Sequence, residues 1–124
     1  MTAEAEQFTL GAILEDPTAI KSIDLSADDF SSESNREIFL AMQAVESRAE
    51  VPEILTVGQE LEQTTGQNWL GTLALLQKNT TGSKYITRYV EQIKKTTTRR
   101  KAANIAHELI DNMESLGDMS SVDQ

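Results

Sequence analysis

Residues 33–48, with the sequence ESNREIFLAMQAVESR, carry the clearest helical pattern in this chain. Their large apolar residues recur at intervals of three and four, and that spacing places them on one face of an α-helix. Phe39 lies in the middle of this stripe, so we predict that its ring is buried in a core. The stripe consists of Ile38, Phe39, Met42 and Val45, and the polar side carries Glu37, Gln43 and Glu46.

The sequence before this helix predicts two shorter helices and a further capping pattern. The first covers residues 3–14, and the second begins at Asp16-Pro17, because proline is favoured at the first position of a helix. Ser26 followed by Asp29 resembles a capping box, with Asp in place of the usual Glu. The apolar residues of the first two segments are Leu10, Ile13, Leu14, Ala19, Ile20 and Ile23.

The sequence after residue 48 predicts two more short helices. Thr56 and Gln59 form a capping-box pair at the expected start of one, and Gly66 is expected to end it. Trp69 begins the next stripe, where it is either a core residue or an exposed anchor, because Trp is enriched at interaction hot spots. The residues predicted to be buried together are Leu10, Ile13, Leu14, Ile38, Phe39, Met42, Leu61, Leu70 and Leu73.

From residue 83 onward the pattern predicts one long helix with an apolar stripe in two halves. The near half contains Ile86, Tyr89, Val90 and Ile93, and the far half contains Ala103, Ala106, Ile110 and Met113. The polar stretch KKTTTRRK at 94–101 either continues this helix or breaks it into a hairpin, since Thr is a poor helix former. We therefore expect a helical globular subdomain at 1–82, a long helix or hairpin arm at 83–116, and a disordered tail at 117–124.

The length of this helix predicts a protein partner. A helix over 84–115 extends about 48 Å, at roughly 1.5 Å per residue, whereas a globule of about 80 residues is only roughly 30 Å across. The pair Val90 and Ile93 is expected to pack on the globule as well, while the far half would expose its apolar side in a monomer. We predict that the stripe from Ile86 to Met113 mediates self-association or docks a partner.

Charge and composition exclude several classes of function. Residues 1–62 hold 14 acidic and 3 basic residues, while residues 63–124 hold 6 acidic and 8 basic ones, which gives the net charge of −9. An acidic half repels phosphate, so we expect little direct DNA binding. The absence of cysteine excludes thiolate metal sites, and no apolar run is long enough to span a membrane. A basic run that could contact nucleic acid weakly, or an acidic partner, contains Lys94, Lys95, Arg99, Arg100 and Lys101.

No group of residues predicts catalysis, a metal or a cofactor. Residues 82–84 (Gly-Ser-Lys) lack the leading glycine and the residue order of a P-loop. The acidic cluster at 24–33 lacks the turn glycine and the closing glutamate of a calcium loop. His107 with Asp111 four residues later is a surface helical pair. We therefore expect no enzymatic activity from this chain.

Six segments spread along most of the chain resemble the N-terminal domain of DnaB-type replicative DNA helicases. They are EAEQFTLGAIL at 4–14, LSADDF at 25–30, REIFLAMQAV at 36–45, EILTVGQEL at 53–61, ITRYVEQI at 86–93 and RKAANIAHELI at 100–110. Asn35 stands where many family members have a histidine, and Trp69 stands where they usually have a glycine. Each motif is weak by itself, but their common order makes the resemblance specific.

The resemblance implies an all-α fold, in which a small globular bundle of about five helices precedes a long C-terminal helix that is the first arm of a helical hairpin. It implies self-association into a dimer or higher oligomer, docking of primase or a helicase loader, and a cytoplasmic location in a bacterial or phage-infected cell. DNA unwinding and ATP hydrolysis belong to an ATPase domain that these residues do not include. Two other interpretations are open: a free-standing mimic, phage-encoded in one version, that modulates a host helicase or primase, and a nucleic-acid-binding adaptor.

Overall fold

The structure, a computed structural model, describes the backbone of residues 2–123 and the side chains of residues 3–114. Within that part of the chain every regular element is helical, so the predicted all-α fold is confirmed. The α-helices are α1 Thr2–Glu15, α2 Glu33–Ser47, α3 Ile54–Thr65, α4 Leu70–Asn79 and α5 Ile86–Asp123, and short 3₁₀ helices lie at Pro17–Lys21, Ala27–Asp29 and Ser83–Tyr85.

The chain divides into two compact units, the first ending at Lys94 and the second beginning at Lys95. The boundary lies inside α5, which is helical throughout 94–101, so the three consecutive threonines continue the helix instead of breaking it. The division into 1–82, 83–116 and 117–124 stays a prediction. Side chains beyond Glu114 lie outside the described residues, and the expected disorder of 117–124 is untested, although the backbone of α5 is helical to Asp123.

The core of the first unit is built from the apolar stripes of α1, α2, α3 and α4 and from the start of α5. Phe39 is buried as predicted, and the centroid of its ring lies 4.8 Å from that of Phe30. Phe30 is also fully buried, and the stripe analysis did not select it because it precedes α2 instead of lying on a helix. The predicted core residues that are buried are Leu10, Ile13, Leu14, Ile38, Phe39, Met42, Leu61 and Leu73.

Two predictions about α3 and α4 are wrong. Leu70 is 42% exposed instead of buried, because it is the first residue of α4 and its side chain lies against Gly58 of α3. The proposed cap at Thr56 and Gln59 does not start α3, which begins at Ile54. The hydroxyl of Thr56 instead accepts the backbone N–H of Glu53 at 3.0 Å, so the capping pair lies three residues earlier than expected.

Other local predictions are confirmed. The backbone N–H of Ser26 donates to the Asp29 carboxylate at 2.8 Å, which forms the predicted capping contact around a 3₁₀ helix. Gly66 ends α3 with a φ of 74°, a left-handed conformation that favours glycine. Trp69 is buried, and its indole N–H donates to the Thr65 hydroxyl at 2.9 Å. Of the two roles left open for Trp69, the structure supports the core residue.

Gly11 allows α1 and α4 to approach each other closely. A Cβ atom added at Gly11 would lie 2.1 Å from the carbonyl oxygen of Leu76 and 2.8 Å from Cβ of Thr80. The Thr80 hydroxyl in turn donates to the carbonyl oxygen of Phe8 at 2.8 Å. Because the nearest atom belongs to backbone, it cannot move aside as a flexible side chain can, and a glycine is required at this crossing.

Candidate protein-interaction surfaces

The near half of the predicted stripe of α5 lies in or against the core of the first unit. Ile86 is 7% exposed and Ile93 is 0% exposed, while Tyr89 and Val90 are partly buried against the same core. The ring of Tyr89 lies 5.3 Å from that of Phe8 of α1, centroid to centroid. The expectation that Val90 and Ile93 pack on the globule is therefore confirmed, and these four side chains hold α5 in the first unit.

The far half of the stripe is exposed along its whole length, since every residue from 101 to 114 is exposed. Ile110 is 53% exposed and Met113 is 70% exposed, and both belong to the predicted interface. The prediction omitted Ile105 and Leu109, which are 57% and 58% exposed. Ile105, Leu109 and Met113 are spaced by four residues and therefore share one helix face. This spacing could have identified the two omitted residues from the sequence.

These residues form one continuous apolar face of the second unit. On a helix of about 3.6 residues per turn, Leu109 lies near the centre of this face, and Ala103 lies at its edge. Asn104, Glu108 and Asp111 occupy the opposite side. We call this face the α5 stripe, and it consists of Ala102, Ile105, Ala106, Leu109, Ile110 and Met113.

The basic run does not form one free cationic surface. The Nζ atom of Lys94 lies 3.0 Å from Oδ2 of the buried Asp29, so Lys94 takes part in the fold of the first unit. Arg100 is half-buried, whereas Lys95, Arg99 and Lys101 are exposed. The cations available to an outside partner are therefore fewer than the sequence pattern indicated.

The first motif of the resemblance contains a buried acid, Glu6, that serves the fold. Its carboxylate is 0% exposed and accepts the Ser31 backbone N–H at 3.1 Å and the Ser31 hydroxyl at 2.7 Å. The side-chain amide of Asn35, the residue that stands where family members often have histidine, donates to the other oxygen at 3.1 Å. Three donors compensate for the burial of this charge, so Glu6 joins α1 to the start of α2.

Two further findings concern the described residues as a set. Among the described side chains, no group of three or more histidine, aspartate or glutamate residues is placed to hold a metal ion. Within the described helices, none has both the length and the apolar character that a membrane span needs.

A family model described as the DnaB-like helicase N terminal domain matches residues 1–95. The chain belongs to this family. The match covers the whole of the first unit and ends near the start of the second, so the α5 stripe lies beyond it. The resemblance that the six sequence motifs indicated is therefore confirmed.

Two curated relatives are replicative DNA helicases named DnaB. The one from Geobacillus stearothermophilus is 34% identical over 97 residues, which cover 72% of this chain and 21% of that protein. The one from Buchnera aphidicola subsp. Baizongia pistaciae (strain Bp) is 30% identical over 112 residues, which cover 86% of this chain and 24% of that protein. The chain thus spans less than a quarter of the length of these DnaB relatives.

Two solved structures share the fold. The crystal structure of the N-terminal domain of DnaB helicase from Mycobacterium tuberculosis matches with a TM-score of 0.80 and 20% identity, over 86% of this chain and 80% of that chain. A structure described as that of a DnaB-like replicative helicase and its interactions with primase matches with a TM-score of 0.76 and 24% identity, over 87% of this chain and 27% of that chain. The helical DnaB N-terminal fold predicted from the sequence is thereby confirmed.

Proposed function

We propose that this chain is a protein–protein interaction domain of a replicative DNA helicase, and that it associates with a second copy through the α5 stripe. The observation that carries the proposal is the exposure of four large apolar side chains on one helix face, namely Ile105, Leu109, Ile110 and Met113. Burial of such a face against a partner is favourable because it removes apolar side chains from water. The apolar face of a second amphipathic helix is the simplest partner.

The strength of this association follows from the exposed area. Full burial of a large aliphatic side chain contributes about 1.5–3 kcal/mol, and Leu109, typical of the four, is still 58% exposed. Completing that burial in two paired copies contributes on the order of 10 kcal/mol. Loss of translational and rotational freedom opposes it by roughly 4–15 kcal/mol. We therefore expect a dimer that dissociates on dilution, with larger assemblies requiring further contacts.

A second part of the proposal concerns replication partners. One solved structure of the same fold is described by its interactions with primase, and we propose that this chain likewise docks primase or a helicase loader. The first unit is the acidic part of the chain and the second unit carries the exposed Lys95, Arg99 and Lys101. Residues 1–94 hold 15 acidic and 7 basic residues, and residues 95–124 hold 5 acidic and 4 basic ones, so both units are net negative. This net charge supports protein partners over nucleic acid.

We also propose that these residues have no enzymatic activity of their own and bind DNA weakly at most. Catalysis would need a nucleophile beside a base, and the buried acid Glu6 is instead fully occupied by Ser31 and Asn35. Lys94 of the basic run is engaged by Asp29. On this proposal, unwinding and ATP hydrolysis belong to the part of the related helicases that this chain does not cover.

Titration of the chain with primase, and separately with a helicase loader, tests the partner proposal. We expect binding to at least one of them by calorimetry, at a protein concentration where light scattering gives a single species. Binding of neither, at concentrations up to those that produce self-association, would contradict the partner proposal and leave self-association to be judged separately.

A further inference from the structure

A groove of about 400 Å³ lies between α2 and α3, wholly within the first unit. Its lining consists of Glu37, Leu40, Ala41, Ala44, Glu60, Thr64 and Thr65. Leu40 is 49% exposed although other residues of α2, among them Phe39 and Met42, are buried in the core. Ala41 and Ala44 leave room next to its side chain. The groove is therefore an apolar site with space for side chains from outside.

The lining offers acceptors and no free donor to a ligand. The hydroxyls of Thr64 and Thr65 both donate to the carbonyl oxygen of Leu61, at 3.3 Å and 2.6 Å. The remaining polar side chains of the lining are the carboxylates of Glu37 and Glu60. A partner that enters this groove must therefore bring hydrogen-bond donors or positive charge, and an anionic ligand does not fit.

The carboxylates of Glu37 and Glu60 differ in the ion pairs that they form. Glu60 accepts from the Arg48 guanidinium at 2.7 Å, and Arg48 also contacts Glu50 at 3.1 Å. The hydrogen bonds that Arg48 donates, to Glu60 first and then to Glu50, raise the pKa of Arg48 above its ordinary value, so Glu60 already has a cationic partner. Among the described ion pairs none includes Glu37, which lies one helical turn before Leu40.

We propose that this groove docks a cationic amphipathic helix of a partner protein. Its apolar residues cover Leu40, Ala41 and Ala44, and a lysine or arginine on its flank pairs with Glu37. The proposal specifies a docking site for the partner binding proposed above, but it uses none of the residues of the α5 stripe. Its failure therefore leaves self-association standing, and loss of self-association leaves this site intact.

The test uses the full chain and a synthetic amphipathic helix of leucine and lysine, followed by amide chemical shifts in NMR titrations. We expect the shift changes to concentrate on α2 and α3 around residues 37–44 and 60–65, and a matched peptide of leucine and glutamate to cause none there. Leu40→Asp and Glu37→Lys should each weaken binding by about tenfold or more, as expected for one central contact of an interface.

Matched variants distinguish the groove from general attraction to an acidic protein. Leu75→Asp replaces a leucine of α4 that is 58% exposed, and Glu62→Lys reverses an exposed charge of α3 outside the groove. Both should bind the peptide as the parent does. Equal weakening by Glu62→Lys and Glu37→Lys, or shift changes centred on residues 102–113, would overturn the proposal. Chemical shift changes at residues 37–44 that appear when the protein concentration is raised without peptide would also overturn the proposal, because they would indicate that a second copy occupies the groove.

Discussion

The Nζ atom of Lys94 lies 3.0 Å from Oδ2 of Asp29, a carboxylate whose side chain is 2% exposed. The same oxygen accepts the backbone N–H of Ser26 at 2.8 Å. Asp29 belongs to the 3₁₀ helix Ala27–Asp29 and Lys94 to the last turn of α5 within the first unit. One cation of the predicted basic run therefore joins the near half of α5 to the segment that precedes α2.

Replacement of this lysine should destabilise the first unit. Lys94→Met removes the ammonium group that lies 3.0 Å from the buried carboxylate of Asp29. We expect a loss of about 1–2 kcal/mol in the free energy of unfolding, between the values for an exposed and a buried pair. Urea unfolding followed by the fluorescence of the single, buried Trp69 measures it. Lys95→Met, at the exposed neighbouring position, is the control and should change the free energy of unfolding little. Equal stability of the two variants would contradict this role of Lys94.

Substitution by alanine should change the stability of the protein in opposite directions at Gly11 of α1 and at Gly71 of α4. Gly11→Ala places a Cβ 2.1 Å from a backbone oxygen, so we expect it to destabilise the protein by about 1–3 kcal/mol or more. Gly71 is in α4 with nothing within 4 Å of its added Cβ. Gly71→Ala should therefore stabilise it by about 0.5–1 kcal/mol, because alanine favours the helix. Thermal unfolding of both variants checks this, and a neutral Gly11→Ala would mean that the α1–α4 crossing is wider than described.

Replacement of the buried Glu6 of α1 by glutamine should destabilise the protein. Glu6→Gln replaces one carboxylate oxygen by a donor, so the three hydrogen bonds from Ser31 and Asn35 cannot all be kept. We expect a loss of about 1–3 kcal/mol in the free energy of unfolding. Glu4→Gln, an exposed position of the same helix, provides the control and should be nearly neutral. If both substitutions are neutral, the three hydrogen bonds of Glu6 contribute nothing measurable.

The stripes that determine the fold were visible in the sequence, because residues three and four apart on a helix must share a face whatever packs against it. Phe39 and Leu61 were predicted on that basis and are buried. Phe30 could not be found in this way, since its burial depends on where the segment before α2 crosses the core. Leu70 satisfied the same periodicity but is exposed, because it is the first residue of its helix.

The candidate surfaces were predictable only in part. The far half of α5 was predicted from the mismatch between helix length and globule size, yet Ile105 and Leu109 were omitted although their spacing was available. The partner of Lys94 was not predictable, because Asp29 is 65 residues away in the sequence and only the fold brings the two together. The groove beside Leu40 was likewise invisible, since a sequence pattern does not show the space between two helices.

Self-association is proposed to depend on contact between the α5 stripes of two copies. Its test compares the parent with Ile105→Glu/Leu109→Glu, which puts two charges on the stripe, and with Asn104→Glu/His107→Glu, which adds the same charge on the polar side. Both sets of positions are exposed, so the free energy of unfolding of the first unit should be unchanged in every variant.

Multi-angle light scattering over a range of protein concentration is the most direct measurement. We expect the measured mass of the parent and of Asn104→Glu/His107→Glu to rise from that of one chain toward that of two with increasing protein concentration. The stripe variant should remain a single chain at every concentration, because its two buried charges would have no partner. A parent that stays monomeric throughout, or an Ile105→Glu/Leu109→Glu variant that associates as the parent does, would contradict self-association through the α5 stripe.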